Sequence, residues 1–383
     1  MENKIILPNY EKCILNTITS ILKYYNVKTP YSSLPSLDEK LNQKYKNVIL
    51  LILDGMGLDI LDHLSPAGYF KENQIECVTS VYPSTTTAAL TTYYSGRPPY
   101  ETGWIAWSQY FKEYGRTIDM LSHKESYSNQ LPDYSRLNVF NTMMSYPTIF
   151  ERIEEASPNV KAYEVTPLYS ERRSKRTLAA DTLDELIEHI NVLCQTSEEK
   201  FIMAYSDNPD GLLHKFGAYS KEAQDFIKYA EDKISDLCTN LPDDTLLIIS
   251  ADHGHRDIEK VYSLLDYPEI QECLIMPPYL ESRALAFWVK EDMKKEFEER
   301  FNKVFEKEFL LLPSEEFLDK HFLGFGQKHP KINDFLGNYV ALSISTSIIR
   351  IESFLSEGKP LKKSTHCGLT KEEMEVPVIV IEK

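Results

Sequence analysis

The sequence has no pair of cysteines at CxxC spacing. Its six cysteines (Cys13, Cys77, Cys194, Cys238, Cys273 and Cys367) are scattered through 383 residues. That excludes a cysteine-built zinc module and argues against a disulfide frame. Free thiols in a reducing compartment are expected, and with them a cytoplasmic protein. Basic residues are also short, 42 against 58 acidic, for a formal net charge of -16. Such an excess repels polyphosphate backbones, so no nucleic-acid polymer is expected as partner. A small phosphorylated substrate stays open, because bound cations invert the local field. Long apolar runs are missing too. The longest strong one, Val48 to Leu53, suits a buried strand rather than a membrane span, and no membrane partner is expected. The opening Met1-Glu2-Asn3-Lys4 lacks the apolar core of a signal peptide. There is no internal repeat and no low-complexity tract.

What is present alternates between strand and helix. Ile14, Leu15, Ile18, Ile21, Leu22 and Tyr25 recur at helical spacing over 11–25. Lys46 to Leu53 then reads as a strand buried on both faces, ending on Asp54-Gly55-Met56-Gly57. Further strands are expected at 161–165, 201–205 and 245–250, with helices at 183–193 and 221–237. This rhythm predicts an α/β fold with a mostly parallel central sheet flanked by helices, whose ligands sit beyond the carboxyl ends of the strands. Residues 257–345 break the rhythm with a strand at 283–289, a helix at 292–305 and a strand at 309–312. They are expected to form a small inserted α+β cap subdomain on a catalytic domain of 1–256 and 346–383.

Four short segments carry candidate chemistry. Pro83-Ser84-Thr85-Thr86-Thr87 joins a strand to a helix. Its hydroxyls suit a simple helix cap, but a threonine at a helix N-terminus also sits where alkoxide and phosphate are favoured. After the 201–205 strand, Asp210 and His214 are four apart. On a helical turn they share one face, as a metal pair or as an Asp cap with an incidental histidine. Asp252-His253-Gly254 closes the third strand, as ligands or as a plain turn. His366 lies just before the terminal strand 376–381. Jointly, Asp and His donors at strand ends suit zinc or a similar first-row metal. Two such ions about 4 Å apart can clamp the attacking and leaving oxygens of an in-line phosphoryl transfer.

In order and spacing, Leu53-Asp54-Gly55, Pro83-Ser84-Thr85-Thr86, Pro209-Asp210-x3-His214, Ala251-Asp252-His253-Gly254 and His366-x-Gly368-Leu369-Thr370 resemble a known group. It is the nucleotide pyrophosphatase/phosphodiesterase branch of the alkaline phosphatase superfamily. The resemblance implies two divalent metal ions, zinc first and manganese second. Asp210, His214 and His366 would hold one; Asp54, Asp252 and His253 the other, together with Thr86, the nucleophile that forms a phospho-threonine. Thr85 is the fallback nucleophile. His255 is expected beside a ligand or at the surface rather than as a seventh ligand. The implied activity is hydrolysis of a small phosphate ester or anhydride, with a diester or nucleotide pyrophosphate ahead of a monoester. Phosphonate hydrolysis, a phosphomutase and a non-catalytic binding protein are the alternatives. A sulfatase is disfavoured, because the Cys/Ser-x-Pro-x-Arg motif is absent from the nucleophile segment.

The chain departs from that group in two places, one of them the small residues after the nucleophile, Thr87, Ala88 and Ala89, where the family has bulky ones. Family diesterases carry an asparagine just beyond the nucleophile helix, where it donates to a phosphate oxygen. Here that region reads Gly103-Trp104-Ile105-Ala106-Trp107. The nearby aromatics Trp104, Trp107, Tyr110 and Phe111 line either a substrate pocket or the core.

Overall fold

The computed structural model describes residues 5–126, 139–168, 173–350 and 360–383. Its central sheet has seven strands, in the order Gln74–Thr79, Glu375–Glu382, Thr245–Ser250, Asn47–Leu53, Glu199–Ser206, Val160–Thr166 and Thr177–Ala179. Pairing of Asn47–Leu53 with both of its neighbours is parallel. Only Glu375–Glu382 runs against the rest, antiparallel to both strands beside it. The middle strands are wholly buried, as continuous Val/Ile/Leu runs require of a sheet covered on both faces.

The helices follow the predicted periodicity. Leu183–Cys194 and Lys221–Asn240 each bury one apolar stripe, the former against Val160–Thr166 and Glu199–Ser206, whereas Ile14–Tyr24 is buried on all sides from Ile14 to Leu22. Leu183–Cys194 begins with a capping box, in which Thr182 accepts from Glu185 N while Glu185 reaches back. The mostly parallel α/β architecture is therefore as the sequence predicts.

The second sheet differs from expectation. It is a seven-stranded antiparallel sheet, ordered Phe309–Pro313, Tyr339–Ser343, Ala284–Phe287, Tyr279–Glu281, Ser108–Phe111, Arg116–Asp119 and Lys124–Glu125. The expected strand–helix–strand unit is split, because Tyr339–Ser343 inserts antiparallel between its two strands. Three of the seven strands come from 108–125, so the sheet crosses the boundary drawn at residue 257. These strands are four residues or fewer, too short to leave a period-two pattern in the sequence. The helix Lys294–Phe305 packs Phe297, Phe301 and Phe305 on this sheet as a satellite core. Among the described residues, no helix is long and apolar enough to cross a membrane.

Candidate active site

Every expected site residue lies at a carboxyl end of the parallel strands or on a segment brought there. Asp54 follows Asn47–Leu53, and Asp252 and His253 follow Thr245–Ser250. The turns are tight. Gly55 has φ +73°, and its amide donates to Asp252 Oδ1 at 3.0 Å. A Cβ on Gly57 would come within 2.4 Å of Gly254 Cα, so the two turns touch through glycine alone.

Thr86 is the first residue of the buried helix Thr86–Ser95. Thr85 has the extended backbone of an N-cap, yet its side chain makes no capping bond. Its hydroxyl donates instead to Glu281 Oε1 at 3.0 Å. The simple cap reading of this cluster therefore does not hold. Thr86 Oγ1 lies 3.3 Å from Asp54 Oδ2 and 3.3 Å from His253 Nε2. It is Thr86, not Thr85, that faces the acidic cluster.

The second station forms as spaced. Asp210 opens the helix Asp210–Phe216 behind Pro209, so it is not the cap, and its Oδ1 lies 3.3 Å from His214 Nε2. His366 arrives from 114 residues beyond Asp252 in sequence, carried by Ser364–Thr365, which pairs with Arg256–Asp257. Its Nε2 is 3.8 Å from Asp210 Oδ1.

The imidazole hydrogen bonds reveal which nitrogen is available. His214, His253 and His366 each direct Nδ1 to a backbone carbonyl, of Ser364 at 2.8 Å, Gly254 at 3.1 Å and Ser84 at 3.1 Å. A carbonyl only accepts, so Nδ1 carries the proton and each Nε2 presents a lone pair to the site. At His253, that lone pair meets Asp252 Oδ2 at 3.2 Å and Asp54 Oδ1 at 3.4 Å. Both carboxylate oxygens are buried and accept no hydrogen bond. Three potential ligand atoms, two carboxyl oxygens and one imidazole nitrogen, converge here. Such a donor set fits a cation.

At the other cluster, ligand atoms of Asp210, His253, His255 and His366 lie within 4.8 Å of one another. The Lys362 ammonium sits 2.9 Å from His214 Nε2, a cationic stand-in against that lone pair. Burial first, then the charges of Asp252 and Asp210, pushes the Asp54 carboxyl well above its ordinary range. Burial also holds His366 well below the usual imidazole value. Neutral imidazoles beside crowded carboxylates are ligands in want of positive charge.

Sequence reasoning passed over Tyr205, Arg283 and Glu373, and left His255 between a place beside a ligand and the surface. Tyr205, on the strand beside Asp54, donates its hydroxyl to Asp54 Oδ2. His255 is fully buried, with Nε2 2.6 Å from Asp210 Oδ1 and Nδ1 3.0 Å from Ser364 Oγ, so the surface placement is excluded. Arg283 and Glu373 form a buried two-pronged ion pair, each arm 2.7 Å. The same Glu373 accepts from Gly368 N and from Thr370 Oγ1, which pins the turn after His366. Trp104 and Phe111 belong to the core, whereas Trp107 is 43% exposed beside Glu281.

An α/β sheet ringed at its carboxyl edge by a threonine and two Asp/His clusters defines a phosphohydrolase scaffold of the alkaline phosphatase superfamily. The type I phosphodiesterase / nucleotide pyrophosphatase family model matches residues 48–322. The chain belongs to that family, and is an enzyme of its metal-dependent phosphohydrolase type. No curated protein sequence matches it. Among solved structures, murine ectonucleotide pyrophosphatase/phosphodiesterase 5 superposes with a TM-score of 0.63 at 16% identity, over 88% of this chain and 87% of that one. An inactive threonine-to-alanine variant of that murine protein, in complex with AMP, gives 0.62 at 16% identity over the same shares. Phosphonoacetate hydrolase from Sinorhizobium meliloti, in complex with phosphonoformate, gives 0.63 at 17% identity over 88% and 90%.

Proposed function

We propose that the protein hydrolyses small phosphate esters or anhydrides in two steps through Thr86, with a phosphodiester or nucleotide pyrophosphate as the favoured substrate. The observation that carries this reading is the placement of Thr86 Oγ1 at 3.3 Å from both Asp54 Oδ2 and His253 Nε2, at the start of a helix. Asp210, His214 and His366 would hold one divalent cation, and Asp54, Asp252, His253 and Thr86 the other. Zinc fits these donors best, and manganese is the second choice. Bound there, the cations supply Lewis acidity that lowers the hydroxyl pKa and neutralises charge on the leaving oxygen.

The chain's own part is positional. The Thr86 hydroxyl points its proton at Asp54 Oδ2, and Tyr205 holds that carboxylate from the other side. As the proton leaves, Oγ1 bonds to phosphorus and the bond from phosphorus to the departing oxygen breaks. The departing group takes up a proton from solvent. Water then attacks the phospho-threonine, restores the Thr86 hydroxyl and releases the phosphoryl product. The helix N-terminus favours the anionic phosphoryl group throughout.

The relatives support a threonine and a nucleotide-like ligand, since the threonine-to-alanine murine protein is inactive and binds AMP. The six free cysteines support a reducing compartment, and we place the protein in the cytoplasm.

The test is a pair of assays on protein purified without chelator. Bis-p-nitrophenyl phosphate should be cleaved faster than p-nitrophenyl phosphate. Metal-loaded protein that cleaves neither would sink the proposal. Faster cleavage of phosphonoacetate than of either ester would move the assignment to phosphonate hydrolysis, in keeping with the second relative.

A further inference from the structure

Glu281 stands beside the nucleophile without belonging to either Asp/His cluster. It ends the short strand Tyr279–Glu281 of the second sheet, directly after Leu280, which has φ +83°. One carboxylate oxygen, Oε1, accepts from Thr85 Oγ1 at 3.0 Å and from the Trp107 amide at 2.7 Å. Oε2 makes no hydrogen bond among the described residues and is not sealed from solvent. Thr85 precedes Thr86. Its charge also acts on Lys362, whose ammonium lies 2.9 Å from His214 Nε2, and on Cys367, next to His366. Glu281 thus touches the residue beside the nucleophile and lies within electrostatic reach of neighbours of two metal-ligand candidates.

Trp107 belongs to the segment where a family diesterase carries its phosphate-binding asparagine. At that place this chain has no asparagine. It has a carboxylate, an acceptor of opposite polarity, delivered from 174 residues away. Burial pushes the Glu281 carboxyl up, and the Trp107 amide, Lys362 and the Thr85 hydroxyl oppose that rise.

We infer that Glu281 is a specificity-determining residue that selects against doubly charged phosphoryl groups and so reserves the site for singly charged phosphoryl centres. Repulsion scales with the product of charges, so a dianionic monoester or free phosphate suffers more than a diester. An asparagine donor would draw in either. This inference rests on the proposed phosphoryl-transfer reading and supplies what that reading lacks, a physical basis for a diester preference.

The experiment compares the parent with Glu281→Gln at mildly alkaline pH. Gln keeps an oxygen acceptor for Trp107 and Thr85 and removes only the charge. The ratio of monoester to diester kcat/KM should rise about tenfold or more. Inorganic phosphate, titrated calorimetrically into the metal-loaded protein, should bind about tenfold tighter to the variant. An unchanged ratio with unchanged phosphate affinity overturns the inference, as does a parallel fall on both substrates. If the parent cleaves neither ester, the functional reading fails while phosphate binding still decides on Glu281. Should the Gln variant not fold, Glu281→Asp withdraws the charge by one methylene, and a smaller shift in the same direction is expected.

Discussion

The imidazole of His366 stacks on that of His253, with centroids 3.8 Å apart and planes 19° from parallel. His366 belongs to one Asp/His cluster and His253 to both, so the two candidate metal positions share a wall. The stack is held from behind, since each Nδ1 is spent on a backbone carbonyl, of Ser84 and of Gly254. Loss of His366 should therefore be felt at both positions. His366→Ala is expected to lose about one metal equivalent outright. Its second metal should dissociate faster than in the parent, as read by elemental analysis and by competition with a chromogenic chelator.

Thr86→Ala should lower kcat by about a thousandfold or more while leaving metal content close to two. Thr85→Ala should keep most of the turnover, because the Thr85 hydroxyl faces Glu281 rather than Asp54. The reverse pattern would place the nucleophile one residue earlier.

Chelation should destabilise the protein. Asp54 Oδ1 and Asp252 Oδ2 are buried without a hydrogen bond, so chelation leaves two crowded carboxyl groups without a compensating cation. A melting temperature that rises with added zinc or manganese, and falls with chelator, is the expected outcome.

Acidity should act on the chelated protein through His255. Burial drops its pKa from 6.5 to about 3 in the fold. Below 6.5 the unfolded chain takes up a proton that the folded chain refuses. The stability that His255 contributes is therefore present above 6.5 and is lost as pH falls towards 3. His255→Gln lacks this group. Its melting temperature should fall less steeply than the parent's over that interval; equal slopes would contradict the neutral, buried assignment.

Arg283→Met should cost about 3–5 kcal/mol, since it strands the Glu373 carboxylate without its buried partner. Because Glu373 also holds Gly368 N and Thr370 Oγ1, the variant should lose metal affinity at the His366 position before it unfolds. A double change to a matched apolar pair should recover stability but not metal affinity, as Gly368 and Thr370 would stay unheld.

The central sheet and the ligand stations were legible because each is local. A buried strand leaves a continuous Val/Ile/Leu run, and Asp54 and Asp252 follow such runs directly. Asp210 and His214 were readable from the helical repeat. His366 could be placed only by its order relative to the other motifs, since nothing local joins it to Asp210. Glu281 and Lys362 left no signal. Each meets the site across more than a hundred residues, through strands or turns too short for any period to show. His255 was left open between a place beside a ligand and the surface, because a single histidine after glycine carries no information about what covers it. The second sheet was underestimated because it gathers very short strands from two distant stretches.

The antiparallel strand Glu375–Glu382 lies between Gln74–Thr79 and Thr245–Ser250 rather than at an edge. A sheet built from the preceding residues therefore has a slot in its interior. The segment that fills the slot also brings His366 to Asp210. Closure of the sheet interior and delivery of His366 to Asp210 thus depend on the same C-terminal stretch. A truncated or proteolysed chain lacking that segment loses a ligand and an interior strand together. Damage there should yield material that quality control can recognise, rather than a weakly active enzyme.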